Sequence, residues 1–386
     1  IRQARIVEKL QNKVRGSHTI RDLFTINKHS GWGMVSDLIL WSGGHIFKDK
    51  AISNKKRDSI KLKKPKKALL IHAPAWQIAK NVDVHLFTTH KSLNFSYDFF
   101  IGRTTFESKD IPQKFIDELN QVDQVHCQST FNLKYFKKHG MTSPGYVLPN
   151  GVNWDLFEHA DLTKSNHILK KNISKYKYKF LSVFNSHDDM WKRKNIHVLL
   201  QEFQKLNKSN NSVLVLKTNL TKEFIITNIY SDLTNVTVVG EIYSQKEMRA
   251  LYHLFDAFIN ISSGEALGIP FLEAAACGTR IVALNYGGHL DFLNKNNAYL
   301  VDYAGFYTWE SANKKFAYDG CRFPNVSINS FHKILQQLKQ DIQVQAKKDT
   351  SSIYEFNDQC LEKWNTYLKR YSYQVLKPTK ASVGSY

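Results

Sequence analysis

Cysteine is scarce in this chain, and its spacing matches no metal-binding motif. The four cysteines, Cys127, Cys277, Cys321 and Cys360, are dispersed over 386 residues. Zinc sites and disulfide frameworks need cysteines at short or regular spacings. The scatter therefore favours a reducing compartment, and we expect a cytoplasmic protein.

Long apolar runs and Asp-x-Asp motifs are also absent from the sequence. A helix that crosses a bilayer needs about 20 consecutive apolar residues, and no run comes near that length. Because no Asp-x-Asp motif occurs, we expect no divalent metal ion. Hydrophobic residues make up 42% of the 386 positions and charged residues 23%, which is typical of a globular chain long enough for two domains.

Acidic residues are outnumbered by basic ones, most of all near the amino terminus. The formal net charge is +20, and residues 1–67 contain 17 Lys and Arg against 5 Asp and Glu. The basic segment 48–67 can attract an anionic membrane surface or a nucleic acid, and a solvated lysine-rich loop is the third interpretation. No aromatic residue interleaves its lysines, which argues against a base-stacking platform and makes nucleic acid the weaker alternative.

Residues 262–278 combine two glutamates with the start and stop signals of a short helix. Pro270 suits a first helical turn and Gly278 ends the helix. Glu265 and Glu273 are separated by a helical rise of about 12 Å, so they can serve opposite ends of one elongated ligand. The alternative is an amphipathic core helix with two solvated acids.

The start of this predicted helix is also suited to an anion. Backbone N–H groups in a first helical turn have no partner within the helix, and a diphosphate is their natural ligand. The amides in question belong to Leu267, Gly268 and Ile269.

A second candidate segment places cations at the junction between a strand and a helix. The apolar run 179–184 predicts a strand, and Ile196, Leu199 and Phe203 have helical spacing. Arg193 and Lys194 lie between them, where open α/β sheets bind ligands. The alternative is a solvated surface run of basic residues.

Residues 262–278 resemble the E-x7-E motif of retaining glycosyltransferases of the GT-B fold, specifically the family 4 type. The resemblance implies an α/β fold with two Rossmann-like domains that face a central cleft. In that family the residue matching Glu265 lies beside the donor sugar, and the one matching Glu273 accepts hydrogen bonds from the ribose. Arg193 and Lys194 resemble the pair that neutralises the donor diphosphate.

Further segments resemble that family in the expected order. Gly31 and Gly33 resemble a glycine loop facing the donor phosphates, and the segment containing Ile242 and Tyr243 lies where related proteins use backbone groups to hold the nucleobase. Residues 102–107 and 128–131 resemble loops of the acceptor side, and residues 148–152 the crossover between domains. One departure is residues 185–190, which replace a glycine-rich turn. His72 and His90 are candidates for the family's active-site histidine, although a structural role inside the fold is the favoured interpretation for either.

The resemblance implies a domain organisation and a reaction. Residues 1–150 would form the acceptor-side domain, residues 151–350 the donor domain, and residues 351–386 a helix returning to the first domain and a tail. The reaction would transfer a sugar, with retention, from a UDP- or GDP-sugar to a hydroxyl of a glycan or lipid-linked acceptor, without a cofactor. We expect a cytoplasmic enzyme, with peripheral contact to the cytosolic membrane face as an option.

Two other functions stay open. One is a sugar transferase that modifies nucleic acid, and the other is a sugar-nucleotide-binding protein without turnover.

Predicted secondary structure agrees with two sheet domains. Short apolar and β-branched runs bounded by polar residues indicate strands, and a stripe of apolar residues after Asn357, taken as an N-cap, indicates a terminal helix. The predicted strands are 23–26, 68–71, 83–86, 99–101, 124–127, 179–184, 213–216, 236–241 and 281–284.

Overall fold

The structure is a computed structural model that describes residues 21–22, 68–72, 99–152, 154, 157, 162–186, 190–310 and 318–369. Several sequence predictions fall outside these ranges. They concern Gly31, Gly33, His90, the strands at 23–26 and 83–86, and the basic segment 48–67.

Within the described residues, five parallel strands form the first sheet, in the order β1-β2-β3-β4-β5. They are β1 (Arg21–Asp22), β2 (Ala68–His72), β3 (Phe99–Thr104), β4 (Gln124–Cys127) and β5 (Gly145–Val147). Helix α1 (Gln113–Leu119) follows β3, and α2 (Thr130–Lys138) follows β4. This sheet with its two helices is called the first unit. It confirms the strands predicted at 68–71, 99–101 and 124–127.

The second sheet is also parallel, and its six described strands have the order β11-β10-β9-β6-β7-β8. The strands are β6 (Tyr178–Val183), β7 (Ser212–Lys217), β8 (Val236–Val239), β9 (Ala257–Asn260), β10 (Arg280–Leu284) and β11 (Tyr299–Val301). The helices are α3 (Lys164–Ile173), α4 (Met190–Arg193), α5 (Ile196–Leu206), α6 (Lys222–Asn228), α7 (Gln245–Tyr252) and α8 (Ile269–Ala276). Together they form the second unit. The four strands predicted here are confirmed, whereas β9 and β11 were not predicted.

Both faces of the second sheet are covered by apolar residues. Leu181 and Val215 belong to the core cluster on one face, and Phe180, Leu214 and Leu216 belong to the cluster on the other. Successive residues of a strand point to opposite faces, so a strand buried on both sides has a continuous apolar sequence. This explains why β6 and β7 could be recognised as short apolar runs.

An antiparallel hairpin leaves the second unit and packs against the first. It consists of β12 (Tyr303–Thr308) and β13 (Arg322–Val326), and the described residues 303–310 and 318–326 are called the arm. Trp309, Tyr318 and Phe323 of the arm share a buried apolar cluster with Phe106 and Phe115 of the first unit. The arm was not predicted from the sequence, and it couples the two units through a common core.

The chain ends its described part with two helices, α9 (Ile328–Gln343) and α10 (Ser351–Lys369). The prediction that Asn357 caps the terminal helix is wrong, because α10 begins at Ser351 and Asn357 lies within it. The Asn357 side chain is buried and bonds both backbone groups of Val152, at 2.7 Å to the N–H and 2.9 Å to the carbonyl. Farther along α10, Trp364 donates to the Pro149 carbonyl at 3.0 Å. The helix therefore fastens the crossover between the two units.

Candidate active site

The two loops that carry Arg193, Lys194 and Glu265 meet where the order of strands in the second sheet reverses. From β6 the chain adds β7 and β8 on one side, and it then returns to place β9 and β10 on the other. The loops that follow β6 and β9 therefore leave neighbouring strands toward different helices, and they create a crevice at the carboxyl edge. Open α/β sheets bind their ligands in such a crevice.

Asn195 ties these two loops together. Its backbone has a left-handed conformation, with φ of 54°, which Asn tolerates better than most residues. Its side-chain amide donates to the Ile261 carbonyl at 2.7 Å and to the Ser263 hydroxyl at 2.8 Å. The Ser263 N–H in turn donates to the Arg193 carbonyl at 2.8 Å. The cation loop and the Glu265 loop are therefore held in one fixed arrangement.

Arg193 and Lys194 are not solvated surface residues. Arg193 is only 6% exposed, and its guanidinium donates to the Gly264 carbonyl. Lys194 Nζ lies 2.5 Å from Glu265 Oε1, and these two side chains are 12% and 13% exposed. The structure thus brings together the three residues that were predicted as catalytic.

The charges of this cluster act strongly on one another. Burial alone would raise the pKa of Glu265, but Lys194 and Arg193 outweigh burial and hold that pKa at about 2. Burial also lowers the pKa of Lys194, and the neighbouring Glu265 partly offsets this effect. Glu265 is therefore a carboxylate at neutral pH, beside a cation whose ammonium form is poorly solvated.

Helix α8 begins beside Glu265 with unpaired backbone donors. Gly268 occupies the N-cap position with φ of 82°, and no side chain caps the helix there. Among the described residues, the N–H groups of Leu267, Gly268 and Ile269 have no hydrogen-bond acceptor. The predicted amides are thus available to an anion, next to two cations.

Glu273 lies in the second turn of α8, and its side chain is partly buried. The Tyr252 hydroxyl donates to Glu273 Oε2 at 2.8 Å. Burial raises the pKa of Glu273 to about 7, although this hydrogen bond acts in the opposite direction. The carboxylate therefore gains from any further hydroxyl donors that a ligand supplies.

Ile242 and Tyr243 follow β8 at the outer edge of the sheet. Ile242 is 71% exposed, and Lys217 lies over the Tyr243 ring at 5.0 Å while it donates to the Glu241 carbonyl at 2.7 Å. Within the described part of the chain, no hydrogen bond or ion pair joins these two residues to the Arg193 and Glu265 loops. Their contact with a nucleobase stays a prediction.

Two residues near the cluster were not predicted as site residues. Glu107 follows β3 in the first unit, and the charges of Arg193, Glu265 and Lys194 all act on its carboxyl group. His289 is fully buried and interacts electrostatically with Glu265, with its Nε2 bonded to the Leu284 carbonyl at 2.7 Å. Glu107 has a weak sequence signal, since it follows a predicted strand.

Gly288 shows how closely the two units approach at this site. A Cβ atom at Gly288 would lie 1.8 Å from the Ala266 carbonyl oxygen and 2.6 Å from Ser129 Oγ of the first unit. Nearby, the Thr130 N–H at the start of α2 donates to Asp291 Oδ2 at 2.8 Å. A side chain at position 288 would therefore collide with the protein's own backbone, and this requires glycine here.

Comparisons with known proteins agree with this architecture. Residues 182–308 match the family model described as Glycosyl transferases group 1. No curated protein sequence matches the chain at a significant level.

Three similar solved structures are distant in sequence. Anabaena HepE in complex with UDP and glucose is 14% identical, with a TM-score of 0.56 over 78% of this chain and 77% of that one. A UDP-forming α,α-trehalose-phosphate synthase from Burkholderia xenovorans is 12% identical, with a TM-score of 0.57 over 80% and 74%. Sucrose-phosphate synthase from Thermosynechococcus elongatus is 15% identical, with a TM-score of 0.57 over 78% and 73%.

These similarities decide the fold class. The chain has the GT-B fold. It is thus an α/β protein with two parallel-sheet units facing each other, as predicted, and the family match indicates a glycosyltransferase domain in its second half.

None of the helices in the described part is both long and apolar enough to cross a membrane. Among the same residues, no group of three or more His, Cys, Asp and Glu side chains is arranged to hold a metal ion.

Proposed function

We propose that this protein is a retaining, metal-independent glycosyltransferase of the family 4 type, which transfers a sugar from a UDP- or GDP-sugar to a hydroxyl of a glycan or lipid-linked acceptor. The observation that carries the proposal is the convergence of Arg193, Lys194 and the unpaired amides of α8 at the switch point of the second sheet. Cations and helix N-termini are the groups that bind and stabilise a leaving diphosphate. HepE, which has the same fold, is described in complex with UDP and glucose.

The proposed roles combine the resemblance to the family with the positions of the described residues. Lys194 and Arg193 neutralise the diphosphate, together with the amides of Leu267, Gly268 and Ile269. Glu265, ionised next to these cations, accepts hydrogen bonds from the donor sugar. Glu273, farther along α8, accepts them from the ribose, and the backbone near Ile242 and Tyr243 holds the base. The resemblance also assigns Gly31 and Gly33, which lie outside the described residues, to the donor phosphates.

The reaction then needs no protein nucleophile. As the bond from the anomeric carbon to the diphosphate breaks, negative charge develops on the leaving group, where Lys194 and Arg193 already lie. The acceptor oxygen forms the new bond, and its proton passes to the leaving diphosphate. Closure of the two units around the substrates would exclude water from the reacting groups.

Thermal unfolding in the presence of nucleotide sugars tests this function. A panel of UDP-glucose, UDP-N-acetylglucosamine, GDP-mannose and ADP-glucose should contain at least one compound that raises the unfolding temperature, because a ligand of the native state alone stabilises it. The stabilising donor is then incubated with sugar acceptors, and NMR of the product reports its anomeric configuration. Stabilisation without transfer or hydrolysis would support a binding protein instead, and an inverted product would contradict retention.

The pH dependence of donor binding should report Glu273. Its pKa of about 7 in the free protein means that the carboxylate forms only as the pH rises through neutrality. Since ribose hydroxyls donate more strongly to the ionised form, the dissociation constant should fall as the pH rises toward 7, by at most about tenfold per pH unit, and level off above it. Titration calorimetry at several pH values, with the nucleotide sugar identified above, measures this dissociation constant. The diphosphate diester of the ligand does not titrate in this range, so the pH dependence reports the protein.

Glu273→Gln provides the control for this titration. The variant should bind more weakly and lose the pH dependence between pH 6 and 8, while Glu273→Ala should mainly weaken binding rather than slow transfer. Equal affinity of wild type and Glu273→Ala would contradict the assigned role.

The amino-terminal charge supports a peripheral contact with the cytosolic face of a membrane, where a lipid-linked acceptor would be presented. The 17 basic residues among positions 1–67 can attract anionic lipids, and screening acts over about 8 Å at physiological ionic strength. Sedimentation with anionic vesicles should therefore fall steeply with added salt. It should be lost when seven basic residues are replaced by Gln, namely Lys55, Lys56, Arg57, Lys63, Lys64, Lys66 and Lys67.

Donor binding by the seven-residue variant serves as the control and should be unchanged. Equal sedimentation with neutral and anionic vesicles would contradict the membrane contact. Salt-sensitive binding to duplex DNA without vesicle binding would favour the nucleic-acid alternative.

A further inference from the structure

Glu107 is the acidic residue that the first unit brings to the candidate site. It follows β3 at the carboxyl edge of a parallel sheet, where α/β units bind ligands. Its backbone and Cβ lie against Gly264, since a Cβ atom at that glycine would be 3.0 Å from Glu107 Cβ. Gly264 also accepts the hydrogen bond of Arg193 and precedes Glu265 in the chain. Glu107 therefore faces the donor-side cluster from the opposite unit.

Only one of the two carboxylate oxygens of Glu107 accepts a hydrogen bond from the described residues. The Tyr318 hydroxyl of the arm donates to Glu107 Oε2. No described residue donates a hydrogen bond to Glu107 Oε1, and no described Lys or Arg forms an ion pair with it. One oxygen is thus oriented by the protein, and the other is left without a partner.

Asp110, a second acid in the same loop, provides a comparison with Glu107. Asp110 uses both of its oxygens on the Arg322 guanidinium, at 2.8 Å each, and one of them also accepts the Arg322 N–H at 2.9 Å. This contact already fastens the loop to the arm. Asp110 thus has both oxygens occupied by the protein, whereas Glu107 has only one.

Keeping Glu107 in this position is unfavourable for its ionised form. Burial raises its pKa, and of the nearby charges Arg193 and Lys194 lower it while Glu265 raises it further. A partly buried carboxylate with an unused oxygen is stabilised when a ligand donates a hydrogen bond to it. Titratable groups held in such unfavourable surroundings are concentrated at functional sites.

We propose that Glu107 is the acceptor-binding carboxylate of the transfer site, and that its Oε1 accepts a hydrogen bond from a hydroxyl next to the attacking one on an uncharged sugar. This inference rests on the proposed function and adds the acceptor class to it. The acceptor's proton still passes to the leaving diphosphate, so Glu107 takes up no proton. A carboxylate at this place repels an acceptor that carries a phosphate beside its attacking hydroxyl.

Transfer by Glu107→Gln tests the proposal. With the donor identified by thermal stabilisation, initial rates are measured for neutral acceptors (glucose, mannose and their methyl glycosides) and for glucose 6-phosphate and glucose 1-phosphate. Loss of a hydrogen bond to a charged group weakens binding by about 10- to 100-fold, so the KM for neutral sugars should rise by that factor. The dissociation constant of the donor should change less than this KM, because the proposed donor contacts belong to the second unit.

Two further variants separate binding from a structural role. Asp117→Asn makes the same acid-to-amide change on the exposed face of α1 and should leave all rates and the unfolding temperature unchanged. Tyr318→Phe removes the hydrogen bond that orients Glu107, so it should raise the KM for neutral acceptors without affecting donor binding. Glu107→Gln should also narrow the preference for neutral over phosphorylated sugars.

An unchanged acceptor KM and preference in a Glu107→Gln enzyme with normal donor turnover would overturn this inference and leave the proposed function intact. Equal loss of donor affinity and acceptor affinity, with a lower unfolding temperature, would show a structural role and overturn it as well. Failure of every nucleotide sugar to bind would overturn the proposed function and the inference together.

Discussion

Lys194→Ala is expected to lower the turnover of the sugar donor by about 100-fold or more, because it removes a preorganised charge from the point where the diphosphate leaves. The ammonium lies 2.5 Å from Glu265 Oε1 in a largely buried cluster, so water cannot replace it at low cost. Arg193→Ala should have a comparable effect on turnover. Initial rates at saturating donor, measured by release of the nucleoside diphosphate, provide the number.

Loss of Lys194 also leaves the Glu265 carboxylate buried without its ion-pair partner, which typically costs about 3–5 kcal/mol of stability. The double variant Lys194→Ala/Glu265→Gln removes both charges and should recover much of that stability without recovering turnover. Lys208→Ala, an exposed lysine beyond α5, is the charge-matched control and should behave as wild type. If Lys194→Ala and Arg193→Ala both transfer sugar at near wild-type rates, these cations do not bind the diphosphate.

Phe323→Ala is expected to destabilise the protein by about 3–5 kcal/mol, which is the usual cost of removing a fully buried aromatic ring. Phe323 has no exposed surface, and its ring packs on Trp309 and Tyr318 at centroid distances of 5.7 Å each. These residues share one apolar cluster with Phe106 of the first unit, so the substitution should weaken packing in both units. Urea unfolding followed by tryptophan fluorescence and by circular dichroism measures the change.

Val344→Ala, at an exposed position that is 73% accessible, is the control for this measurement and should cost less than about 0.5 kcal/mol. The arm also holds the loop that carries Glu107. Phe323→Ala should therefore weaken acceptor use at temperatures where the protein is still folded. A cost below about 1 kcal/mol would contradict a shared core between the arm and the first unit.

Much of the second sheet and the start of α8 could be predicted from the sequence, because their signals are local. The strands β6, β7, β8 and β10 are short apolar runs, and α8 lies between Gly268 and Gly278 with Pro270 in its first turn. The alternative interpretations of a solvated basic run and of solvated acids fail, since Arg193, Lys194 and Glu265 are largely buried and in contact.

The features that were missed depend on residues far apart in the chain. The arm has weak strand signals, because Gly305 interrupts β12 and Pro324 lies inside β13. Asn is a residue type typical of helix N-caps, but Asn357 lies inside α10 and its side chain bonds the backbone of Val152 instead. Glu107 is a single acid after a strand, and nothing near it in the sequence indicates that it meets Gly264.

The arm also determines the order in which this chain can complete its fold. Ser108 of the first unit donates to the Arg322 carbonyl of the arm, a contact between residues 214 positions apart. At a synthesis rate of about 5–20 residues per second, the apolar surface around Phe106 and Phe115 waits roughly 10–40 s for the segment that covers it. Such distant contacts also slow folding, because a long loop must close before they form. The first unit is thus exposed to aggregation during synthesis, until the arm emerges and closes its core.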